Sequence, residues 1–235
     1  MSDVSDLNAD FDTDLDDFLG KWRARWPEWR IAQVFVAEAQ RQTAEAWFAL
    51  LQEWTDAAWT GEDPTPGFAK LAWWQEELAG WAKGVRRHPL GRVLQKQRAS
   101  WSALAIALPA LQTVREPLRV WSAPQTLTAP LQSLTAAIAD AEHALFAPES
   151  QAVADAFALL AAYALWHRDD AAAVAPRETW AKQCAAIAPQ RAGSRPRRIH
   201  VALTYARLKR MAAGGEVSAL SPAAALWQSW RAAKG

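Results

Sequence analysis

FALLQEWTDAAW, residues 48–59, decides how the rest of the chain is read. Together with the preceding Trp47, it places Trp47, Leu50, Leu51, Trp54, Ala57 and Ala58 on one stripe at helical spacing. Arg41, Gln42, Glu45, Glu53 and Asp56 fall on the opposite side, which predicts a long amphipathic helix from about Ala37 to Trp59. No strand alternation competes with it. The breaker GEDPTPG (61–67) ends the helix.

Working outward, Phe68 to Lys83 repeats the pattern, with Leu71, Trp74, Leu78 and Trp81 on one face and a stop near Gly84. Trp47, Trp54, Trp74 and Trp81 are the expected packing anchors. A first helix is expected from about Asp14 to Arg25, its aspartates meeting the positive end of the helix dipole, with residues 1–12 a disordered acidic tail. Short helices are expected at Leu90–Arg98 and Trp101–Leu108, and longer ones at 131–146, 150–168, 177–188, 196–213 and Pro222–Ala233. The expectation is one all-α domain over residues 13–235, a bundle of about ten helices.

Composition agrees. Alanine outnumbers Val plus Ile by 53 to 16, which favours helix over sheet. The single cysteine, Cys184, excludes a disulfide framework or a paired-thiolate metal site, and its alanine neighbours predict a buried thiol. Seven aspartates and no Lys or Arg in the first seventeen residues do not make a secretory signal. The longest apolar run, Ala156 to Trp166, is about half of the roughly 20 residues a membrane span needs. A cytoplasmic protein is expected, with peripheral membrane contact left open. The net charge of +1 conceals a polarity, because residues 181–235 carry ten Lys/Arg against one acid, Glu216. Such a basic third suits phosphate groups, an anionic membrane, an acidic partner, or the chain's own acidic start.

Few motifs carry chemistry. Asp10, Asp12 and Asp14 have the spacing of a calcium loop, but Leu15 stands where its turn glycine belongs and Lys21 where its closing glutamate belongs. The histidines at 88, 143, 167 and 200 are dispersed, so no metal site is expected from them. There is no phosphate-binding glycine loop and no GxSxG elbow. GSRPRRIH (193–200) is basic without interleaved aromatics, so nucleic acid is not an expected partner. The most distinctive string is KLAWWQEELAGWAKGVRRHPLGRVL (70–94), which sets Lys70, Trp73 and Glu77 on one strip and gathers Lys83, Arg86, Arg87 and His88 in the turn that follows.

That string resembles the squalene/phytoene synthase family, in which a helix of the type R-L-x-W-W-R-x-E-L precedes a G-x-x-x-H-P turn. FALLQEWTDAAW is similar to that family's first aspartate-rich helix, and ALLAAYALWHRDDA (158–171) resembles its second in position. The tail from Arg195 resembles the ends of short bacterial members. The resemblance implies an isoprenoid-synthase-type helical bundle in which two aspartate helices face each other across a cavity. It also implies head-to-head condensation of two allylic diphosphates, with Mg²⁺ bridging carboxylates to diphosphate. It would make Lys70, Arg86, Arg87 and His88 diphosphate-binding and Gln52, Thr55, Trp59, Leu160, Tyr163 and His167 cavity-lining.

The sequence departs from the family where the chemistry lies. Thr55 and Trp59 stand at the positions of two metal-binding aspartates, and Asp56, the intervening member, is expected to be solvated beside Glu53 and Glu45. The second motif reads His167-Arg168-Asp169-Asp170-Ala171, with Leu160 and Tyr163 in place of an amide pair. The expectation is therefore a non-catalytic member without a metal or cofactor, holding an isoprenoid or lipid or acting in assembly. Divergent mitochondrial relatives linked to respiratory complex I assembly supply that second role by analogy. The first alternative is an active transferase using Glu53, Asp56, Asp169 and Asp170 with Mg²⁺. The second is a basic-surface protein docking on an acidic or membrane partner.

Overall fold

The long helix expected between residues 37 and 59 is present as α3 (Glu38–Trp59), and the other elements are arranged around it. A computed structural model describes the backbone of residues 3–119, 123–146, 153–167, 177–189 and 193–235, with side chains from residue 14 and excluding that of residue 177. In chain order, α1 (Asp3–Arg25) and α2 (Trp29–Ala32) precede α3, and α4 (Thr65–Trp81), α5 (Gly91–Leu94), α6 (Trp101–Ala107), α7 (Ala110–Thr113) and α8 (Arg115–Arg119) follow it. Then come α9 (Gln132–Phe146), α10 (Phe157–Ala162), α11 (Arg177–Ala186), α12 (Arg195–Ala212) and α13 (Pro222–Ala233). No strand occurs among the described residues, and the fold is all-α.

Two elements differ from the sequence reading. The first helix begins at Asp3 rather than near Asp14, so the tract expected as a tail is helical in its backbone. The helix expected over 150–168 is shorter: α10 starts after Asp155, whose carboxylate accepts the Phe157 N–H at 2.8 Å. It then passes into a π-turn over Tyr163–His167. Elsewhere local rules hold. Ser194 and Ser221 cap α12 and α13, each accepting a backbone N–H at 3.3 Å, with Pro196 and Pro222 in the first turns. Gly67 lets α4 lie against α3, because a Cβ there would sit 2.0 Å from the Ala57 carbonyl oxygen.

The apolar stripe of α3 is buried, and its opposite side is partly covered, with Glu45 buried, Arg41, Glu53 and Asp56 half-buried and Gln42 exposed. α1 covers that side, and Arg23 donates to Glu45 at 2.6 Å, leaving Glu45 buried rather than solvated. The four expected anchors, Trp47, Trp54, Trp74 and Trp81, are all buried. Trp101 joins Trp47 (6.5 Å between centroids) to Trp81 (5.0 Å), making an aromatic ladder across α3, α6 and α4. Cys184 is buried as expected, and burial pushes its thiol pKa up. No helix among the described residues is long and apolar enough to cross a membrane.

Buried ion pairs join elements far apart in sequence. Glu142 on α9 receives the Arg197 guanidinium from α12 and the Trp47 indole N–H at 2.7 Å from α3. Glu28 receives Arg207 of α12 at 2.8 and 2.5 Å and the Leu220 N–H at 2.8 Å. Near the C-terminus of α3, Arg115 donates to the Ala58 and Gly61 carbonyls at 2.6 and 2.5 Å, neutralising the negative end of that helix. Removing one member of a buried pair strands its partner's charge, which costs about 3–5 kcal/mol. Arg197→Met should lower stability by that order in urea unfolding, and adding Glu142→Gln should restore most of it, because the amide oxygen still accepts from Trp47 once no charge is left unpaired.

Candidate functional site

The C-terminal half of α3, the α10 π-turn and α12 converge where the resemblance places its cavity. Thr55 is buried, and its hydroxyl donates to the Gln52 carbonyl one turn back at 2.9 Å. Asp56 is not the solvated acid expected. Its Oδ1 accepts from Arg25 at 2.8 Å and lies 3.1 Å from His167 Nε2, and its side chain is only 20% exposed. Burial alone would raise its pKa, but the imidazole and guanidinium outweigh burial and hold the carboxyl below its ordinary range. Glu53 is held by Lys70 at 2.5 Å. The catalytic candidates of α3 are therefore each already paired with a cation, Asp56 with Arg25 and Glu53 with Lys70. Asp169 and Asp170 lie outside the described residues.

Trp59 occupies the room beside them. Its indole N–H donates to the Leu111 carbonyl at 3.1 Å, and its ring meets Tyr163 and His167 edge-on at 5.8 and 6.0 Å. The Tyr163 hydroxyl donates to the Leu118 carbonyl at 3.2 Å, and Leu160 is wholly buried. Of the six expected cavity-lining residues, Gln52 and Thr55 border an internal pocket. Leu160, Tyr163, Trp59 and His167 are core. The pocket holds about 40 Å³ and is enclosed by Trp22, Trp26, Phe48, Trp166, Arg197 and His200, among others. That is room for a few waters, whereas sites for organic ligands run to roughly 300–1,000 Å³.

Arg197 and His200 at the pocket were not foreseen. Gln52 Oε1, His200 Nδ1 and Arg197 Nη1 are buried without a partner. The His200 ring stacks on Phe48 at 4.4 Å, and burial, reinforced by the charges of Arg197 and Arg207, holds its pKa well below the ordinary value. An ordered water bridging these groups would satisfy them. The signal that could have found this place is the density of tryptophan and arginine over residues 22–30 and of arginine in α12; no local motif marks it.

The basic turn after α4 is built by Glu77. This buried carboxylate accepts the Arg87 and His88 backbone N–H groups at 2.7 and 2.8 Å, the Trp81 indole at 2.8 Å and Arg87 Nε at 3.0 Å. Burial would raise its pKa, but these donors lower it. Arg87 also lies over the Trp73 ring at 5.3 Å, and Arg86 reaches Gln95 at 3.5 Å. The His88 ring packs against Trp74 and Phe18 at 4.6 and 4.7 Å, and its Nδ1 accepts from the Leu90 N–H at 3.1 Å. Desolvation takes its pKa down to about 4, so near neutral pH His88 is an uncharged packing group rather than an anion ligand.

These residues do not fit a magnesium cluster. Thr55 and Trp59 supply no carboxylate, Glu53 and Asp56 are held elsewhere, and no group of three or more metal-ligating side chains occurs among the described residues. The geometry can hold helices together and enclose water; it cannot draw a multinuclear metal site from α3.

The histidine environments set a pH dependence. A histidine with a folded pKa of about 4 binds fewer protons folded than unfolded between pH 4 and 6.5. The stability it contributes is complete above pH 6.5 and is lost as pH falls toward 4, by on the order of 3 kcal/mol for His88 alone. His200 acts in the same direction. Urea midpoints should fall steadily over that window, and NMR of the His88 ring should show no protonation down to about pH 5.

Comparison with protein-family models, with curated proteins and with solved structures finds no match for this chain.

Proposed function

We propose that this chain is a squalene/phytoene-synthase-like protein that acts without catalysis, in binding or assembly. The observation that supports this reading is the state of the α3 end: Thr55 and Trp59 fill the metal-ligand positions the resemblance implies, and Asp56 is tied to Arg25 and His167. Ionising an allylic diphosphate needs divalent charge on the leaving group, and α3 offers no carboxylate at 55 or 59 to place it. An internal space of about 40 Å³ favours interaction through the outside of the bundle over an isoprenoid held within it.

A second reading has its own support. α11, α12 and α13 border a surface groove of about 480 Å³ with Ala185, Ala188, Val201 and Ala202 along it and Arg198 and Arg231 beside them. Cations in a groove of mixed polar and apolar lining suit a basic docking surface for an acidic or membrane partner.

The discriminating assay follows diphosphate release from farnesyl and geranylgeranyl diphosphates with Mg²⁺ and NADPH. Release should not rise above the protein-free blank. Release that disappears in Asp56→Ala and Asp170→Ala would overturn the non-catalytic reading.

A further inference from the structure

α13 is turned inside out relative to an ordinary amphipathic helix. It presses Ala225 and Ser229 inward, both fully buried, and turns Leu226 (48% exposed), Trp227 (54%) and Trp230 (38%) outward. Water-facing helices normally bury the large apolar side chains and expose the small and polar ones. The two indoles stack on each other at 5.1 Å. Arg231 lies over Trp227 at 6.0 Å and Lys234 over Trp230 at 3.8 Å, so each exposed ring has a cation against it.

The cations that the structure places against this face are Arg231 and Lys234, and the helices packed on α13 carry charge of the same sign. α2, the 3-10 turn Gln33–Phe35 and α12 pack against α13, and none of these elements, nor α13 itself, contains an Asp or Glu. In sequence these elements carry Arg30, Arg195, Arg198, Lys209 and Arg210, in addition to Arg231 and Lys234 of the C-terminal segment. Arg207 and Arg197 are discounted, being neutralised inside by Glu28 and Glu142.

We infer that the Leu226–Trp227–Trp230 face of α13 docks on an anionic lipid bilayer surface, with Arg231 and Lys234 meeting lipid phosphates. This names the partner for the binding role proposed above and rests on that reading. Indole rings with an apolar body and one N–H donor partition to the headgroup boundary, where a helix with Trp on one side and Lys/Arg beside it lies in the plane of the interface. The flexible stems of Arg231 and Lys234 reach the phosphates while their indoles enter the acyl boundary. A second copy of the chain fits less well, because a two-fold contact through this face brings cations against cations with no acid to separate them.

The test is co-sedimentation of the full chain with phosphatidylcholine vesicles and with vesicles containing phosphatidylglycerol. Binding is expected to the anionic vesicles, to weaken as salt rises, and to fall roughly tenfold or more in Arg231→Glu/Lys234→Glu. Trp227→Ser/Trp230→Ser should lose binding with an unchanged circular dichroism spectrum. If that variant misfolds, the charge-reversal variant and quenching of wild-type fluorescence by brominated lipid decide the matter. Failure of the folded wild type to bind anionic vesicles overturns the inference, as does binding that both variants leave intact. A dimer in sedimentation equilibrium that Trp227→Ser/Trp230→Ser converts to monomer also overturns it, since the face is then closed by a second copy. Diphosphate release from the same preparation separates the two proposals: turnover with vesicle binding removes the non-catalytic reading alone, and neither turnover nor binding removes the lipid surface alone.

Discussion

Glu142 is the constraint around which the bundle is organised. One buried carboxylate receives a guanidinium from α12 and an indole N–H from α3, and its own helix is α9. A charge in that position is tolerable only if both partners arrive in register. The pair thus fixes how α12 crosses α3 and α9, and with it the position of Arg197 and His200 at the internal pocket. Glu28 with Arg207 repeats the device nearer the start of the chain, joining the segment before α2 to α12 and, through the Leu220 N–H, to the entry of α13.

Tryptophan supplies the complementary apolar framework. The ladder from Trp54 through Trp47, Trp101 and Trp81 to Trp74 runs through edge-on and tilted ring contacts, and its indole N–H groups are met in part by the same carboxylates that take the arginines. Glu77 and Glu142 each accept one indole and one guanidinium. Polar and apolar cores are therefore one network, which suits a chain so rich in alanine, whose small side chains bury little surface each.

Much of this was legible in the sequence. The stripe on α3, the anchors Trp47, Trp54, Trp74 and Trp81, the span of α13 and the buried Cys184 all follow from periodicity and local chemistry. What could not be read is long-range pairing. Glu45 and Asp56 look like a solvated face because the arginines that cover them, Arg23 and Arg25, sit on another helix. His200 reads as a polar residue in a basic helix, yet lies flat on Phe48. The inversion of α13 was equally hidden, since a helical stripe shows which residues share a face and not which face turns inward. At the candidate site, the absence of a carboxylate at Thr55 and Trp59 was legible, but not the partners that tie Asp56 down.

Those partners give Asp56 an unexpected significance. A carboxylate that clasps Arg25 on one side and His167 on the other works as a fastener between α1, α3 and the π-turn. Aspartates placed at 55 and 59 would crowd three negative charges at the C-terminal end of α3, where Arg25 is already paired with Asp56 and Arg115 with the helix carbonyls. Without a bound cation each would loosen the fastening, and an aspartate in place of Trp59 would also empty the space the indole now fills. Grip and ion capture would thus be opposed at one helical turn, and the contacts of Asp56 with Arg25 and His167 serve grip.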